Sequence, residues 1–270
     1  MTRVALLSLS ASQQQFTKLN QNQKKTPTHP QQPVGFADFN TVKDATNDPS
    51  CTETGSSIVI DAVNNPFVED DIICGGVGPY DVYSFNGATI QGTGHRVTTN
   101  GGVTFSGLVF DGAGASATIM EGTNLQNATF LHCTFKEARV GLLAVSDSSY
   151  ASPEISVQWC SFHNFTEHAF YASDFDRIVF DYNELVGVGE NTDAVDVSMR
   201  TSSLLTFDFN ENLLTNDPGF GLPSNRTAFY VHDIDTTLSR FSMRDNVANN
   251  IPVGIRLWNV PEPVVLNHLP

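Results

Sequence analysis

The chain has 270 residues, of which 40% are apolar and 16% are charged, a composition typical of one or two folded domains and unlike that of a disordered or collagen-like protein. No stretch approaches the ~18 uninterrupted apolar residues that a membrane-spanning helix requires. The 14 Lys and Arg residues against 29 Asp and Glu residues give a net charge of −15, which argues against nucleic-acid binding by the folded part.

Residues 1–33 differ from the rest of the chain because they carry four cationic side chains, seven Gln and no acid. Their net charge is +4, which leaves −19 on residues 34–270. This polar, Pro-flanked composition cannot bury enough apolar surface to fold alone, so it predicts a disordered basic arm or leader. Two alternatives stay open: a targeting signal, because the string after Arg3 has a short apolar region, and an arm that orders against another subunit or a virion.

Residues 34–84 contain short strand patterns and turn residues rather than a clear repeat. SIVIDAV (57–63) reads as a strand and DDIICGGVGPYDVYSF (70–85) as strand, turn and strand. They are predicted to form an N-terminal cap and the first coils of the fold below. Cys51 and Cys74 flank part of this region and could form a disulfide in an oxidising compartment.

Six eight-residue segments from residue 103 onward share one template, with apolar residues at its first, third and last positions. We call its sixth position the ladder position. The segments are VTFSGLVF, ATFLHCTF, ISVQWCSF, IVFDYNEL, FDFNENLL and FSMRDNVA. The ladder position holds Leu108, Cys133, Cys160, Asn183, Asn212 and Asn246. A second, alternating segment follows the later five copies: GLLAV, AFYAS, AVDVS, AFYVH and GIRLW. Each repeat is therefore predicted to form two short strands joined by turns.

Repeats of this kind predict a parallel β-solenoid, in which equivalent positions of successive coils lie ~4.8 Å apart and form columns. Stacked Asn183, Asn212 and Asn246 would satisfy one another or the turn backbone by hydrogen bonds inside the core. Cys133 and Cys160 would share that column as small apolar groups, with a stacked disulfide as the alternative.

These rungs and the asparagine ladder resemble the right-handed parallel β-helix proteins of the pectin-lyase-like superfamily over residues 85–260. The resemblance implies an all-β, single-stranded right-handed parallel β-helix of about six or more coils, with residues 261–270 as a cap or tail. Leucine-rich repeats are the competing fold, because their LxLxxNxL pattern is close to IVFDYNEL. Leu is no commoner than Phe here, and the second half of each repeat reads as a strand, which favours the β-helix.

The outward positions of the second strand form a row suited to an extended glycan. Its candidate substrate-binding residues are Tyr171, Tyr230, Arg256 and Trp258, with Asp196 and His232 between them. Aromatic faces stack on sugar C–H surfaces, and charged groups bond sugar hydroxyls. Two other interpretations stay open: a merely solvated strand surface, and a protein-contact face, which Leu143 and Val145 would also explain.

The string Glu190-Asn191-Thr192-Asp193-Ala194-Val195-Asp196 resembles the NTDGID-type motif of polygalacturonases, which are inverting glycoside hydrolases of this fold. The resemblance assigns a catalytic carboxylate to Asp193, with Asp196, Asp233 and His232 as the further candidates. The family's paired-Asp motif and GHG string are absent, and its arginine–isoleucine–lysine element is only echoed at Arg256. An inverting pair must also lie ~6.5–9.5 Å apart.

A lyase is the less favoured enzyme, because it needs a strong base and the candidate face carries few cations. No cofactor is expected, although Asp174, Asp193, Asp196 and Asp233 could bind calcium. The sequence thus favours a protein that recognises, and in one version hydrolyses, an extended neutral or weakly charged polysaccharide. The alternative is a structural or spike-like β-helix, in the form of a homo-oligomer such as a trimer, that the arm attaches to virion or cell-surface proteins. Either function implies an extracellular, cell-surface or virion location, and no membrane partner.

Overall fold

The computed structural model describes residues 4–7, 36–39, 41–62, 65–76, 79–99, 101–146, 152–188, 194–198, 205–215, 227–234, 238–249, 251 and 253–260. These residues form a parallel β-solenoid of about six turns with very little helix, so the predicted fold class is confirmed. No helix among them is long and apolar enough to span a membrane.

The strands follow one another along the chain with short connections. They are β1 (Val4–Leu7), β2 (Phe36–Asp38), β3 (Ser57–Ile60), β4 (Phe67–Val68), β5 (Ile73–Gly76), β6 (Tyr80–Tyr83), β7 (Thr89–Gln91), β8 (His95–Thr99), β9 (Val103–Ser106), β10 (Val109–Thr123), β11 (Asn127–Leu131), β12 (Thr134–Val145), β13 (Glu154–Gln158), β14 (Ser161–Phe165), β15 (Phe170–Ser173), β16 (Arg177–Asp181), β17 (Glu184–Val188), β18 (Val195–Ser198), β19 (Leu205–Asn210), β20 (Leu213–Thr215), β21 (Thr227–His232), β22 (Leu238–Arg244), β23 (Val247–Asn249) and β24 (Val253–Trp258).

The coils present three faces. Face A is a ten-stranded parallel sheet in the order β2-β1-β3-β6-β9-β11-β13-β16-β19-β22. The second sheet has fourteen strands and divides into two branches, which the long strands β10 and β12 join. Face B consists of β4, β7, β14, β17, β20 and β23 with the first parts of β10 and β12. Face C consists of β5, β8, β15, β18, β21 and β24 with their second parts.

Each coil therefore has three strands rather than the predicted two. The eight-residue template does not form one strand, because the chain turns immediately before the ladder position. The residues there adopt the left-handed conformation, with φ between 52° and 59° at His132, Trp159, Tyr182, Glu211 and Asp245. A strand cannot continue through that conformation, so face A ends and face B begins at this turn. We call it the A/B turn.

The asparagine ladder is confirmed. The Asn212 Oδ1 atom accepts hydrogen bonds from the backbone N–H of Asn183 at 2.9 Å and from its Nδ2 at 3.1 Å. Asn246 accepts from Asn212 in the same way, at 3.0 Å and 2.9 Å. The Nδ2 groups of Asn212 and Asn246 also donate to the carbonyl oxygens of Phe180 and Phe209, both at 2.7 Å. Because the three amides are at most 4% exposed, these bonds replace water as the partners of buried polar groups.

Phenylalanine rings fill the interior in columns that run from coil to coil. On face B, Phe110, Phe135 and Phe162 are stacked with successive ring centroids 5.1 Å apart. On face A, Phe105 and Phe130 stack in the same way, also at 5.1 Å. All five rings are at most 2% exposed. The excess of phenylalanine thus has a structural cause, since one ring recurs at each equivalent inward position.

The first coils are covered by a short helix. Helix α1 (Val42–Asn47) buries Val42 and Ala45. The Glu69 carboxylate accepts hydrogen bonds from the backbone N–H groups of Val42 and Lys43, at 2.8 Å and 2.9 Å, and so caps the N-terminus of the helix. Strand β1, which belongs to the predicted disordered arm, lies between β2 and β3 in face A. The rest of that arm and the predicted C-terminal segment 261–270 lie outside the described residues.

The cysteines that the structure describes are buried and free. Cys74 is a free thiol, so the structure does not contain the disulfide with Cys51. Burial raises the pKa of Cys74 to about 12. Cys133 and Cys160 are core residues of the ladder column, as predicted, and are free rather than joined by a disulfide. Burial also raises the pKa of the Cys160 thiol well above its usual range.

His95 is buried in the second coil, and burial has an electrostatic consequence there. Its Nδ1 accepts a hydrogen bond from the backbone N–H of Ile72 at 3.4 Å, and its Nε2 has no hydrogen-bond partner among the described residues. Burial lowers the pKa of His95 from 6.5 to about 4, although Asp70 and Asp71 act in the opposite direction. The folded state therefore favours the neutral form of the His95 imidazole.

We expect the free energy of unfolding to fall as the pH drops from 6.5 towards 4. In this window the unfolded chain binds a proton at His95 and the folded chain does not, so the unfolded state gains up to about 3 kcal/mol. A His95→Phe variant should lose this component, and urea unfolding of both proteins at pH 7 and pH 4 measures it. The same decrease in both proteins would show that His95 does not contribute.

Candidate functional site

The outward positions of face C lie in two columns, because the strands pair in register. The first column contains Ile73, Arg96, Glu121, Leu143, Tyr171, Asp196, Tyr230 and Arg256. The neighbouring column contains Thr123, Val145, Ser173, Ser198, His232 and Trp258. The register thus places the predicted glycan-binding positions on one surface, at consecutive coils. It also places Leu143 and Val145 on that surface.

The most developed cluster on face C is formed by strands β21 and β24. The rings of Tyr230 and His232 are stacked, with centroids 4.5 Å apart and planes at 17°. The Arg256 guanidinium lies over the Tyr230 ring, with Cζ 5.6 Å from the ring centroid. Both contacts orient groups that would otherwise be flexible, and the guanidinium gains a cation–π interaction.

His232 and Asp233 form a hydrogen-bonded pair at the edge of this cluster. The His232 Nδ1 lies 2.9 Å from the Asp233 Oδ2, and the Asp233 Oδ1 accepts a hydrogen bond from the Asn259 Nδ2 at 3.3 Å. Asp233 lies in the turn from face C to face A with φ of 54°. The carboxylate orients the imidazole, and an imidazole of fixed orientation is able to bond a sugar hydroxyl or transfer a proton.

Trp258 lies next to this pair and is the exposed aromatic platform of face C. It is in register with His232 on the adjacent strand, and 64% of its surface is exposed. The Tyr230 ring already contacts the His232 ring and the Arg256 guanidinium, so less of its surface is available to stack on a sugar. Tyr171 is half-buried, and its ring centroid is 6.0 Å from that of His168. Among the described aromatic residues of face C, Trp258 is thus best placed to stack on a sugar.

Sequence reasoning missed Asn259, which bonds Asp233, and it named Asp174 only as a candidate calcium ligand, not as the partner of Ser173. Ser173 donates a hydrogen bond from Oγ to the Asp174 Oδ2 at 2.6 Å. Asp174, Asp233 and Asn259 all occupy left-handed positions immediately after a face C strand. Asn and Asp tolerate that conformation better than other side-chain-bearing residues do. The signal that could reveal this turn is an Asp or Asn directly after three of the five second segments, AFYAS, AFYVH and GIRLW.

The polygalacturonase-like string is described only in part. Asp193 lies outside the described residues. Asp196 is part of β18, between Tyr171 and Tyr230 in the first column, but its side chain is not described. The separation of the proposed catalytic carboxylates therefore stays a prediction.

Calcium binding also stays a prediction. The described residues contain no group of three or more His, Cys, Asp or Glu side chains able to hold a metal ion. Asp193 and the side chain of Asp196, two of the four expected ligands, are not among the groups described.

Comparison with known proteins does not identify a family for this chain. No protein-family model, curated protein or solved structure matches it. The fold and the geometry of face C are therefore the basis for assigning a function.

Proposed function

We propose that face C binds an extended polysaccharide that runs along the solenoid axis. The observation that carries the proposal is the register that aligns Tyr171, Asp196, Tyr230 and Arg256 in one column beside His232 and Trp258. Successive strands are ~4.8 Å apart, close to the length of one sugar unit in an extended chain. Each coil can therefore meet a successive sugar.

The chemistry of the cluster supports the proposal. Trp258 supplies an exposed apolar ring for the C–H face of a sugar. The Arg256 guanidinium, which Tyr230 holds in place, can donate hydrogen bonds to sugar hydroxyls, and the Asp233 carboxylate can accept hydrogen bonds from other hydroxyls. Preorganised groups of this kind lose less conformational entropy on binding.

The net charge of −15 indicates the kind of polysaccharide. A polyuronate would be repelled by this charge, while Arg96 and Arg256 are the cations of the first column. The proposed ligand is therefore a neutral or weakly charged glycan.

A Trp258→Ala variant should bind such a glycan at least tenfold more weakly, because it loses the stacking platform; this corresponds to about 1.4 kcal/mol. A glycan array identifies a ligand, and calorimetry with that ligand measures the affinity. The chain has two tryptophans, so Trp159→Asn, at the A/B turn, is the matched control and should bind as the unmodified protein does. Equal loss in both variants, or none in Trp258→Ala, would contradict the proposal, as would an array without a ligand.

A reducing-end assay on the same glycan tests hydrolysis separately. If the chain acts like the polygalacturonases, the unmodified protein releases reducing ends and Asp193→Asn does not, while binding persists. A protein that binds without releasing reducing ends is a recognition protein only. Absence of any glycan ligand together with a trimer in a size measurement would favour the structural, spike-like function instead.

A further inference from the structure

One register pair on face C brings together the residue types of a nucleophilic hydrolase. Ser198, the last residue of β18, pairs with His232 of β21 in the second outward column. His232 is followed directly by Asp233, whose Oδ2 lies 2.9 Å from the His232 Nδ1. A serine, a histidine and a carboxylate are thus neighbours in space, although they come from two different coils.

The carboxylate of this group is held from two sides. The Asp233 Oδ1 accepts a hydrogen bond from the Asn259 Nδ2 at 3.3 Å, while Oδ2 contacts the imidazole. A carboxylate at Nδ1 fixes the orientation of a histidine and stabilises the imidazolium that forms when Nε2 takes up a proton. Asp233 and Asn259 therefore position His232 for proton transfer.

The imidazole of His232 stands across its strand. Tyr230 and His232 are two residues apart in β21, and their rings stack with centroids 4.5 Å apart and planes at 17°. Stacking along the strand turns the ring edges towards the adjacent coils, one with Ser198 and the other with Trp258.

The spacing of the coils brings a serine within reach of this ring. Residues paired in register on adjacent strands are ~4.8 Å apart, so a hydroxyl at position 198 needs no backbone movement to meet the imidazole. The structure describes the backbone of Ser198, and the register alone gives its place beside His232.

A cation lies beside the pair. Arg256 belongs to β24, but its guanidinium lies over the Tyr230 ring of β21, with Cζ 5.6 Å from the ring centroid. This position brings the positive charge one coil closer to Ser198. A guanidinium there can stabilise the negative charge that develops on a carbonyl oxygen during acyl transfer.

The neighbouring serine of the same column lacks these partners and provides a control. Ser173 lies one coil before Ser198, and Val145 and Ser198 are its neighbours in the column. Its hydroxyl donates to the Asp174 Oδ2 at 2.6 Å, and the residue is buried. Ser198 is thus the member of the pair that has a histidine in register.

We propose that Ser198, His232 and Asp233 form a triad that hydrolyses acyl esters on the hydroxyl groups of a neutral glycan. The proposal rests on the function proposed for face C, because Trp258, next to His232, then holds the sugar that carries the ester. An O-acyl group adds no charge, which agrees with a neutral ligand. Triads of this kind are recognised by geometry rather than by sequence order, and they recur on unrelated folds.

The reaction takes two steps of acyl transfer. The Ser198 oxygen attacks the ester carbonyl carbon and its proton passes to the His232 Nε2. The bond from the carbonyl carbon to the sugar oxygen breaks, and that oxygen takes the proton from His232, which leaves an acyl-serine. Water then attacks the acyl-serine through the same histidine, and the carboxylic acid leaves as Ser198 regains its proton. One ester and one water give one sugar hydroxyl and one acid.

Labelling of the unmodified full chain with diisopropyl fluorophosphate tests the nucleophile. The Ser198 oxygen should displace fluoride and carry the phosphoryl group, and mass spectrometry of the peptides locates the adduct. Ser198→Ala should give no adduct, and His232→Gln should react at least a hundredfold more slowly, because the general base is lost. Ser173→Ala is the matched control and should react as the unmodified protein does.

Hydrolysis of p-nitrophenyl acetate, and acetate release from O-acetylated xylan, test the reaction itself. Ser198→Ala should lower the rate about a thousandfold, and the double variant Ser198→Ala/His232→Gln should be no slower than the slower single variant, because the residues act as a unit. Asp233→Asn keeps a residue that tolerates the left-handed turn. It should lower kcat at least a hundredfold without changing KM, as expected of a positioning residue.

Three results would overturn the triad: no adduct at Ser198, ester hydrolysis that survives in Ser198→Ala, or losses that simply add in the double variant. Ester hydrolysis releases no reducing ends, so the reducing-end assay stays a separate test. The two proposals also fail separately. Glycan binding through Trp258 without an adduct at Ser198 supports the glycan surface and overturns the triad. An adduct at Ser198 without any glycan ligand supports the triad and overturns the glycan as its substrate.

Discussion

Replacing Asn212 with alanine is expected to lower the free energy of unfolding by about 2–6 kcal/mol, because it leaves two buried backbone groups without partners at roughly 1–3 kcal/mol each. These are the Asn183 N–H and the Phe180 carbonyl oxygen, which the Asn212 side chain bonds at 2.9 Å and 2.7 Å. A denaturant titration measures the loss.

A matched control lies next to it in the chain. Glu211 is exposed and left-handed, and asparagine accepts that conformation, so Glu211→Asn should change stability by less than about 1 kcal/mol. Solenoid coils contact only their neighbours, so Asn212→Ala should also reduce hydrogen-exchange protection mainly in the coils of Asn183 and Asn246. A variant as stable as the unmodified protein would show that the ladder does not stabilise the fold.

Phe162→Ala is expected to have an effect of similar size, about 3–5 kcal/mol, because it creates a cavity in a packed column. Phe162 is fully buried and stacks on Phe135 at 5.1 Å and 7°. It also contacts the rings of Phe165 and Phe180, at 6.3 Å and 5.9 Å. The neighbouring coils have no means of closing the space, since their own rings are held by the backbone register. The shift of the urea midpoint measures the loss.

Leucine at the same position is the appropriate comparison. Leu185 and Leu214 occupy the equivalent slot in the next two coils, and each is 1% exposed. Phe162→Leu should therefore cost about 1.5 kcal/mol or less, as volume-tolerant core replacements do. Equal destabilisation by Ala and Leu would mean that ring stacking, rather than the filled volume, determines stability at this position.

The inward pattern of the coils was predictable from the sequence. Asn183, Asn212 and Asn246 recur with the same apolar neighbours, and an interior position restricts the residue types that fit it. The same reasoning predicts a column of apolar residues at the last position of the template, where Phe110, Phe135 and Phe162 stack. Local sequence is sufficient to predict the inward residues because each coil must fill an equivalent interior position with a side chain of similar size and polarity.

The A/B turn and its aromatic stack were not predictable in this way. Aromatic and acidic residues share one backbone conformation there, as His132, Trp159, Tyr182, Glu211 and Asp245 show, so no residue pattern marks the position. For the same reason the sequence predicts one strand for the template, although the template contains parts of two. At an exposed turn the residue only has to adopt the left-handed backbone conformation, and its side chain can vary because it is not packed in the core.

The sequence by itself therefore determined that the chain stacks as a parallel solenoid and which residues fill its interior, because burial imposes the same requirement on each coil. Only the tertiary structure decided which outward side chains contact one another. Alignment of the second segments already places His232 opposite Trp258, as the register confirms. The hydrogen bonds of Asp233 to His232 and Asn259 depend instead on the backbone of the turn after each strand, which no repeated residue pattern specifies.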